Sequence, residues 1–365
     1  MHRVHLTYLL SGSTDERQSL HHPLVAMLAA VHDTGSISNG AKRLGLSYRH
    51  VWGELKRWET ELGQTLVTWV KGQPARLSPF GAKLLWAERQ AQARLAPQIE
   101  ALRSELERAF AIAFDAGSDV ISLYASHDEA LPRLRAWLGQ RDGLHLDIQF
   151  TGSVDALAAL NEGRCLLAGF HAITHAGVRS PTAKVYRPML KPGRHKLIGF
   201  ATRTQGLIVA PGNPLGIHGL ADLQRAGLRF VNRQRGTGTR VVLEELLAAA
   251  ALSATSIGGF EATEPSHQAA AQAVASGAAD VSFGIEAAAR ARGLEFVPLA
   301  QEQYFLATLA ENLDNPNVSA LLAALRTPEW AADLNAIPGY RAERSGEVLS
   351  LRSVLPWWTY RKPKH

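Results

Sequence analysis

The stretch Asp33–Glu59 decides the fold of the first third of the chain, and it reads DTGSISNGAKRLGLSYRHVWGELKRWE. A serine, Ser36 or Ser38, is placed to cap a short helix that ends at Gly45, and Ser47 is placed to cap a second helix. The apolar residues fall where two crossed helices would bury them, at Ile37, Ala41, Leu44, Leu46, Val51 and Leu55. Two short helices joined by one glycine-containing turn predict a helix-turn-helix.

The second of these helices is polar and basic at the positions that would meet base edges in a major groove. We take as candidate DNA-binding residues Ser36, Ser38, Ser47, Tyr48, Arg49, His50, Lys56, Arg57, Lys71 and Arg76. Residues 40–83 contain eight Lys or Arg against three Glu, so the positive charge of the chain is concentrated here. This pattern predicts a double-stranded DNA operator as the partner.

A hairpin and a long helix follow the helix-turn-helix. Residues 66–77 predict a β-hairpin whose tip, with Lys71 and Arg76, would grip phosphates as a wing. Pro79 then begins a long helix with apolar residues at heptad spacing, namely Leu95, Ile99, Leu102, Leu106 and Ala109, although Pro97 lies within it. This seam favours a homodimer or a higher homo-oligomer that reads two half-sites. The alternative is that the helices serve packing alone and that their basic residues are merely solvated.

These motifs resemble a known group of proteins. Residues 35–52, GSISNGAKRLGLSYRHVW, and residues 77–81, LSPFG, resemble the winged helix-turn-helix of molybdate-responsive (ModE-type) regulators, which is similar to that of LysR-type regulators. The resemblance covers about residues 20–110. It implies a DNA-binding transcription regulator.

The chain changes character near residues 111–119. Beyond this point short β-branched runs alternate with Ala- and Leu-rich helical runs, which predicts an α/β architecture with a largely parallel sheet. We therefore expect three parts: a winged helix-turn-helix domain over 1–78, a linker or dimerisation helix over 79–115 and an effector domain over 116–365.

Several strands of the C-terminal part end in small or hydroxyl residues that begin a helix. In open α/β sheets, ligands bind at the carboxyl ends of strands, where helix N-termini direct free N–H groups outward and attract anions. The hydroxyls of Ser126 and Ser153 and the backbone amides of Thr237, Gly238 and Thr239 would supply neutral donors to a small oxyanion. Arg233, Arg235 and Arg240 flank the same turn and would add charge-assisted bonds, or contact a larger phosphorylated ligand.

The same region shows no pattern typical of an enzyme or a metal site. The spacing of its histidines, among them His127, His171 and His267, matches no zinc signature, so we expect no metal and no cofactor other than the effector. No nucleophile elbow or carboxylate pair is present, so we expect no catalytic residues. Two alternatives stay open: a ligand-free assembly scaffold, and an enzyme acting on a pterin-like metabolite whose DNA-binding unit serves autoregulation.

About residues 119–310 resemble the periplasmic-binding-protein-like domain of molybdate-binding proteins. The resemblance rests on residues 126–131 (SHDEAL), 206–214 (GLIVAPGNP), 229–240 (RFVNRQRGTGTR) and 273–285 (AVASGAADVSFGI), with His267 and Tyr304. It implies a two-lobed type II fold with chain crossovers near Phe200–Gly206 and Gly284–Pro298. The expected effector is molybdate or tungstate, or alternatively molybdenum cofactor or another small anionic metabolite. The candidate ligand-binding residues are Ser126, His127, Thr151, Ser153, Arg235, Thr237, Gly238, Thr239, Arg240 and Tyr304.

Composition agrees with these expectations. The 365 residues are 46% hydrophobic and 20% charged with a net charge of +6, which excludes disordered and fibrous classes. No run of about 20 apolar residues exists that would span a membrane, so we expect no membrane partner. A single cysteine, Cys165, excludes an intramolecular disulfide, and with no apparent leader segment it favours the cytoplasm.

Overall fold

The computed structural model describes residues 22–69, 73–114, 120–141, 144–173, 177–355 and 357–358. It contains two compact units, Met1–Gln92 and Ala93–His365. The division falls inside the long helix, whereas the expected boundary at 115/116 lies outside the described residues. Each unit is described by itself.

The N-terminal unit is a helix-turn-helix followed by a short hairpin, as the caps predict. Its elements are α1 (Pro23–Thr34), α2 (Ile37–Arg43), α3 (Tyr48–Leu62), β1 (Val67–Thr68), β2 (Arg76–Leu77) and the start of α4 (Pro79–Phe114). Ser36, and not Ser38, caps α2 by accepting the N–H of Asn39, and Ser47 caps α3 by accepting the N–H of His50. The core of the unit includes Leu28, Val31, Val51, Leu55, Leu66 and Leu85.

Helix α4 continues through Pro97 without interruption. On the part of the helix that belongs to the C-terminal unit, three large apolar side chains of the predicted seam are exposed: Leu95, Ile99 and Leu102. The side chain of Ala109 lies outside the described set. The chain thus presents apolar surface at heptad spacing, which is unusual for a helix that meets only water.

The C-terminal unit is an α/β domain built on a ten-stranded sheet. Its strands are β3 (Val120–Ala125), β4 (His145–Phe150), β5 (Leu167–Ala172), β6 (His195–Val209), β7 (Phe230–Arg233), β8 (Thr263–Glu264), β9 (Val281–Ile285), β10 (Glu295–Leu309), β11 (Tyr340–Arg341) and β12 (Val348–Ser350). Its helices are α5 (Ala130–Arg141), α6 (Ser153–Asn161), α7 (Pro181–Tyr186), α8 (Gly238–Ala249), α9 (His267–Ala275), α10 (Glu286–Arg290), α11 (Pro316–Leu325), α12 (Pro328–Asn335) and α13 (Leu351–Val354). Strand order is β4-β3-β5-β10-β6-β9-β7-β8, and β11 and β12 also pair with β6.

Two fifteen-residue strands, β6 and β10, join two lobes. Near one end, Gln303–Ala307 of β10 pairs with β5; near the opposite end, Gln205–Val209 of β6 pairs with β9. The first lobe therefore contains β3, β4 and β5 with α5 and α6, and the second contains β7, β8 and β9 with α8 and α9. Each long strand passes from one lobe to the other, which is the arrangement expected of a two-lobed binding fold.

Two details of the predicted architecture are wrong. The sheet is mixed and not largely parallel, because β6 and β10 run antiparallel to each other and to their neighbours β9 and β5. The first crossover lies at Phe200–Gly206 as expected. The second lies within β10, around its register shifts at Pro298/Ala300 and Tyr304/Phe305, and Gly284 belongs instead to β9.

Candidate functional site

Three of the segments expected to bind an anion meet between the two lobes. Ser126 follows β3 and Ser153 begins α6, and their hydroxyl oxygens lie 3.3 Å apart. The backbone N–H of Val154 donates to the carbonyl of Gly236 at 3.4 Å, so the start of α6 in the first lobe contacts the turn before α8 in the second. The structure thus brings together the Ser126, Ser153 and 237–239 segments, as the strand-end argument predicts; their role in ligand binding stays a prediction.

The start of α8 packs tightly against the interior of the cleft. Thr237 caps the helix by accepting the N–H of Arg240, while the hydroxyl of Thr239 lies 3.3 Å from Nε2 of His267. A Cβ on Gly238 would lie only 2.5 Å from the His171 ring, so this position requires glycine. The first turn of α8 therefore lies in a closely packed, polar interior.

Arg233, the last residue of β7, is the most unusual group in this interior. Its side chain is among the largest fully buried ones, yet within the described part of the chain neither Nε nor Nη1 has a hydrogen-bond partner. Burial, together with the positive charge of Arg203, lowers the pKa of the Arg233 guanidinium to about 9. A buried guanidinium with two unused donors is costly, and an anion is what would satisfy it.

The second buried arginine, Arg203 on β6, is fully engaged. Its Nη1 donates to Asp128, its Nη2 donates to Glu302, and its Nε also donates to Glu302 at 2.7 Å. Tyr340 donates to the same Asp128 oxygen at 2.6 Å, and Gln205 donates to Glu302 at 2.8 Å. Because Asp128 and Glu302 already neutralise Arg203, this cluster ties β6 to β10 and to the segment after β3.

Neutral histidines and a tyrosine fill the space around these charges. Burial lowers the pKa of His127 to about 4, and lowers the pKa of His171 and of His267 well below the ordinary value. The His171 and Tyr304 rings lie 4.0 Å apart, and the Tyr304 hydroxyl has no hydrogen-bond partner in the described structure. Burial raises the pKa of that hydroxyl well above its ordinary value, so Tyr304 stays a neutral donor.

Three predicted ligand residues make other contacts in the structure. Arg240 donates to Glu244, to Glu261 and to the carbonyl of Phe260, and it stacks on the Phe260 ring at 4.0 Å. Arg235 is exposed and pairs with Glu261 at 3.1 Å. The backbone N–H of Thr151 donates to the carbonyl of Ala125. Arg235 and Arg240 are thus paired with carboxylates, whereas Arg233, near the same turn, is buried and has no hydrogen bond at Nε or Nη1 among the described residues. The expectation that Arg235 and Arg240 bind the ligand stays a prediction.

The sequence reasoning missed most of the buried charged cluster. Arg203, Glu302 and Gln205 lie on the two long strands and belong to no short motif. Charged residues inside otherwise apolar strand segments could have indicated this cluster. A buried charge in a strand rarely occurs without a partner or a ligand. In the described part of the chain, no group of three His, Cys, Asp or Glu side chains is placed to hold a metal ion.

The N-terminal unit presents the predicted DNA-contacting residues on its surface. Tyr48, Arg49 and His50 are exposed in the first turn of α3, and Arg76 is exposed on β2. Further along α3, Lys56 pairs with Glu59 and Arg57 with Glu54, each at 2.6 Å. Ser38 is exposed, whereas Ser36 and Ser47 act as caps. Lys71, at the expected tip of the wing, lies outside the described residues.

Comparison with known families agrees with both units. Residues 24–82 match the family described as bacterial regulatory helix-turn-helix protein, lysR family, and residues 135–326 match the PBP superfamily domain. Among the described residues, no helix has both the length and the apolar character that crossing a bilayer requires.

Two proteins of unassigned role are similar in sequence. Uncharacterized protein YvgK of Bacillus subtilis (strain 168) is 31% identical over 201 residues, which is 55% of this chain and 64% of that protein. The chain therefore spans less than two thirds of that relative's length. An uncharacterized protein encoded in the ferredoxin 2Fe-2S gene 5' region of Clostridium pasteurianum is 26% identical over 111 residues, 30% of this chain and 98% of that one.

Several crystal structures are similar to this chain at low sequence identity. Full-length BenM matches with 16% identity and a TM-score of 0.45, covering 87% of this chain and 97% of that one. CbnR, a LysR family transcriptional regulator, matches with 18% identity and a TM-score of 0.39, covering 81% and 96%. The PBP match extends over more than half of the chain. The chain therefore belongs to the PBP superfamily, and it carries before that domain a bacterial regulatory helix-turn-helix of the lysR family.

Proposed function

We propose that this chain is a one-component transcription regulator of the LysR type, not an enzyme, whose C-terminal unit binds a small anion between its lobes. The helix-turn-helix supplies the DNA-binding surface and the two-lobed domain supplies the effector site. The observation that carries the proposal is Arg233, which is buried and has no hydrogen bond at Nε or Nη1.

An anion suits the Arg233 guanidinium because of both its charge and its geometry. A guanidinium remains charged at neutral pH and has five N–H donors in a fixed plane, so it recognises carboxylate-, phosphate- or molybdate-like oxygens with two parallel bonds. Leaving such donors unpaired in the interior costs about 1–3 kcal/mol for each group. The Ser126 and Ser153 hydroxyls, whose oxygens lie 3.3 Å apart, would donate to further oxygens of the same ligand.

Molybdate and tungstate are the first effectors to test. The neutral donors of Ser126, Ser153 and the α8 N-terminus fit a tetrahedral oxyanion, and the sequence resembles molybdate-binding domains in these segments. A specific observation favours a second candidate, namely molybdenum cofactor or another organic anion. Arg233 brings a full positive charge, which suits a phosphate or carboxylate group as well as it suits a bare oxyanion.

Calorimetric titration of the full chain with molybdate, tungstate, sulfate and phosphate tests the proposal. We expect at least one of these anions to bind, and we expect Arg233→Gln to weaken its binding by tenfold or more. The matched control is Arg229→Gln, which removes an exposed arginine paired with Asp280 on the same lobe. Failure of every anion to bind, or equal binding by wild type and Arg233→Gln, contradicts the assignment of Arg233.

A further inference from the structure

Glu264 stands between the candidate anion site and helix α4. It is the register partner of Arg233 in the parallel pair β7–β8, and its carboxylate acts electrostatically on the Arg233 guanidinium. On its other side, Arg94 of α4 donates to both carboxylate oxygens, from Nε at 2.8 Å and from Nη2 at 2.6 Å. One buried carboxylate thus faces an arginine of the site and an arginine of the helix.

The same segment of α4 contacts both lobes. Next to the Arg94–Glu264 pair, the Ser266 hydroxyl at the start of α9 donates to the carbonyl of Ala93 at 3.0 Å. Six residues further along the helix, Glu100 accepts a bond from Arg135 of α5. Since α9 belongs to the second lobe and α5 to the first, residues 93–100 bridge the two lobes, and their position depends on how the lobes are arranged.

We propose that Glu264 is shared between Arg233 and Arg94, and that it transmits occupation of the anion site to α4. This inference rests on the proposed function, because it concerns the regulation of the same site. An anion on Arg233 takes up that arginine's charge, so Glu264 interacts more exclusively with Arg94 and holds α4 more firmly. Without an anion, the carboxylate is divided between the two arginines and holds α4 less firmly.

The sharing of Glu264 by two arginines should affect the affinity of the site for the anion. When Arg94 is lost, the interaction of Glu264 with Arg233 strengthens, and Glu264 competes with the anion for that arginine. Arg94→Gln should therefore weaken anion binding several-fold, although Arg94 contacts no ligand. Removing the competitor as well, in Arg94→Gln/Glu264→Gln, should restore binding to within about twofold of wild type.

The test has one arm with an anion and one without. In the first, the full chain and its variants are titrated calorimetrically with sodium molybdate, or with whichever of tungstate, sulfate or phosphate the wild type binds. Arg290→Gln, which breaks an exposed Arg–Glu pair on α10, serves as the control and should change nothing. Additive losses in the double variant, instead of recovery, overturn the proposal.

The arm without ligand uses hydrogen exchange of the amides in residues 93–104. Glu264→Gln should speed this exchange by releasing α4, and Arg233→Gln should slow it by strengthening the Glu264–Arg94 pair. If Arg233→Gln does not fold, Arg233→Lys replaces it, with a weaker effect of the same sign. Unchanged exchange in the folded Arg233 variant, with faster exchange in Glu264→Gln, shows that the carboxylate is not shared. Because this measurement needs no anion, it tests whether Glu264 is shared even if no anion binds and the proposed function is wrong.

Discussion

Gly238 shows how closely single residues are fitted in the candidate site. A methyl group at this position would come within 2.5 Å of His171, a ring that is itself packed on Tyr304. We expect Gly238→Ala to displace the ring, to lower the free energy of unfolding by about 1–3 kcal/mol and to abolish anion binding. Urea unfolding followed by circular dichroism measures the first effect, and calorimetry measures the second.

Gly139 in α5 provides the control for that substitution. A methyl group added at this position would meet no atom within 4 Å, so Gly139→Ala should stabilise the protein by about 0.5–1 kcal/mol through the helix propensity of alanine. A Gly238→Ala protein as stable as wild type would show that the α8 N-terminus does not press on His171.

The buried histidines should make stability depend on pH. Burial places the folded-state pKa of His127, His171 and His267 below the unfolded value near 6.5. Below about pH 6.5 the unfolded chain therefore binds more protons than the folded one, and stability falls as the pH falls, by up to about 1.4 kcal/mol per pH unit for each histidine. Glu302, whose pKa burial raises, acts in the opposite direction.

A histidine variant separates the histidine contribution to the pH dependence of stability from the contribution of the carboxyl groups. We expect the free energy of unfolding of His267→Gln to depend less steeply on pH between 7.5 and 5.5 than that of the wild type, by up to about 1.4 kcal/mol per unit. Urea titrations at three pH values measure the difference. Parallel pH profiles would mean that His267 is as easily protonated in the folded state as in the unfolded one.

At the residue scale, sequence reasoning identified the two serine hydroxyls that meet between the lobes but not the buried charged residues. Ser126 and Ser153 were predictable because each follows a strand and precedes a helix, a local pattern. Arg233 was visible only as one of three arginines near a turn, and nothing local distinguishes it from Arg240, which pairs with Glu244 and Glu261. Strand pairing between residues distant in the chain determines which arginine is buried with no hydrogen bond at Nε or Nη1 among the described residues.

Among the elements, α3 and β2 should contribute differently to DNA binding. Arg49 lies in the exposed first turn of α3, where side chains reach base edges, whereas Arg76 lies on the hairpin, where a cation contacts phosphate. Arg49→Ala should lower the preference for a selected operator over random duplex by about 1–3 kcal/mol. Arg76→Ala should weaken both duplexes equally and reduce the slope of log affinity against log salt by about 1.

Fluorescence anisotropy at several salt concentrations, with a duplex selected from a random library, measures both effects. Gln64→Ala serves as the control, because this exposed residue follows α3 and is not one of the predicted DNA-contacting residues, and it should leave affinity and preference near the wild-type values. Equal losses on both duplexes for Arg49→Ala would remove α3 from the reading of sequence.

The helices of the N-terminal unit were predictable and the long strands of the C-terminal unit were not. The caps Ser36 and Ser47, and Pro79 at the first position of α4, are short-range signals that fix where a helix begins. The β6 and β10 strands pair across about a hundred residues of sequence, and their interiors contain Arg203 and Glu302, which interrupt the apolar pattern expected of buried strands. The two charged residues are buried together because Arg203 of one strand donates to Glu302 of the other.

For the molecule as a whole, the exposed seam on α4 predicts association of two copies. Leu95, Ile99 and Leu102 are 36%, 41% and 49% exposed at heptad spacing, so a second α4 would bury apolar surface that otherwise meets water. A dimer would also present two α3 helices to two half-sites, and the affinity for a palindromic operator would then depend on the seam.

A charged side chain introduced within this seam should cause the two copies of the chain to dissociate. We expect Leu102→Glu to shift the sedimentation equilibrium mass from at least two chains toward one, because an unpaired carboxylate would be buried on association. Binding to a palindromic duplex should weaken by tenfold or more, while binding to a single half-site should stay within about twofold. Leu215→Glu introduces the same charge at a leucine of similar exposure, 47%, away from the seam, and should remain associated. If Leu102→Glu keeps the wild-type mass and operator affinity, the copies associate through another surface and the seam on α4 has a different partner.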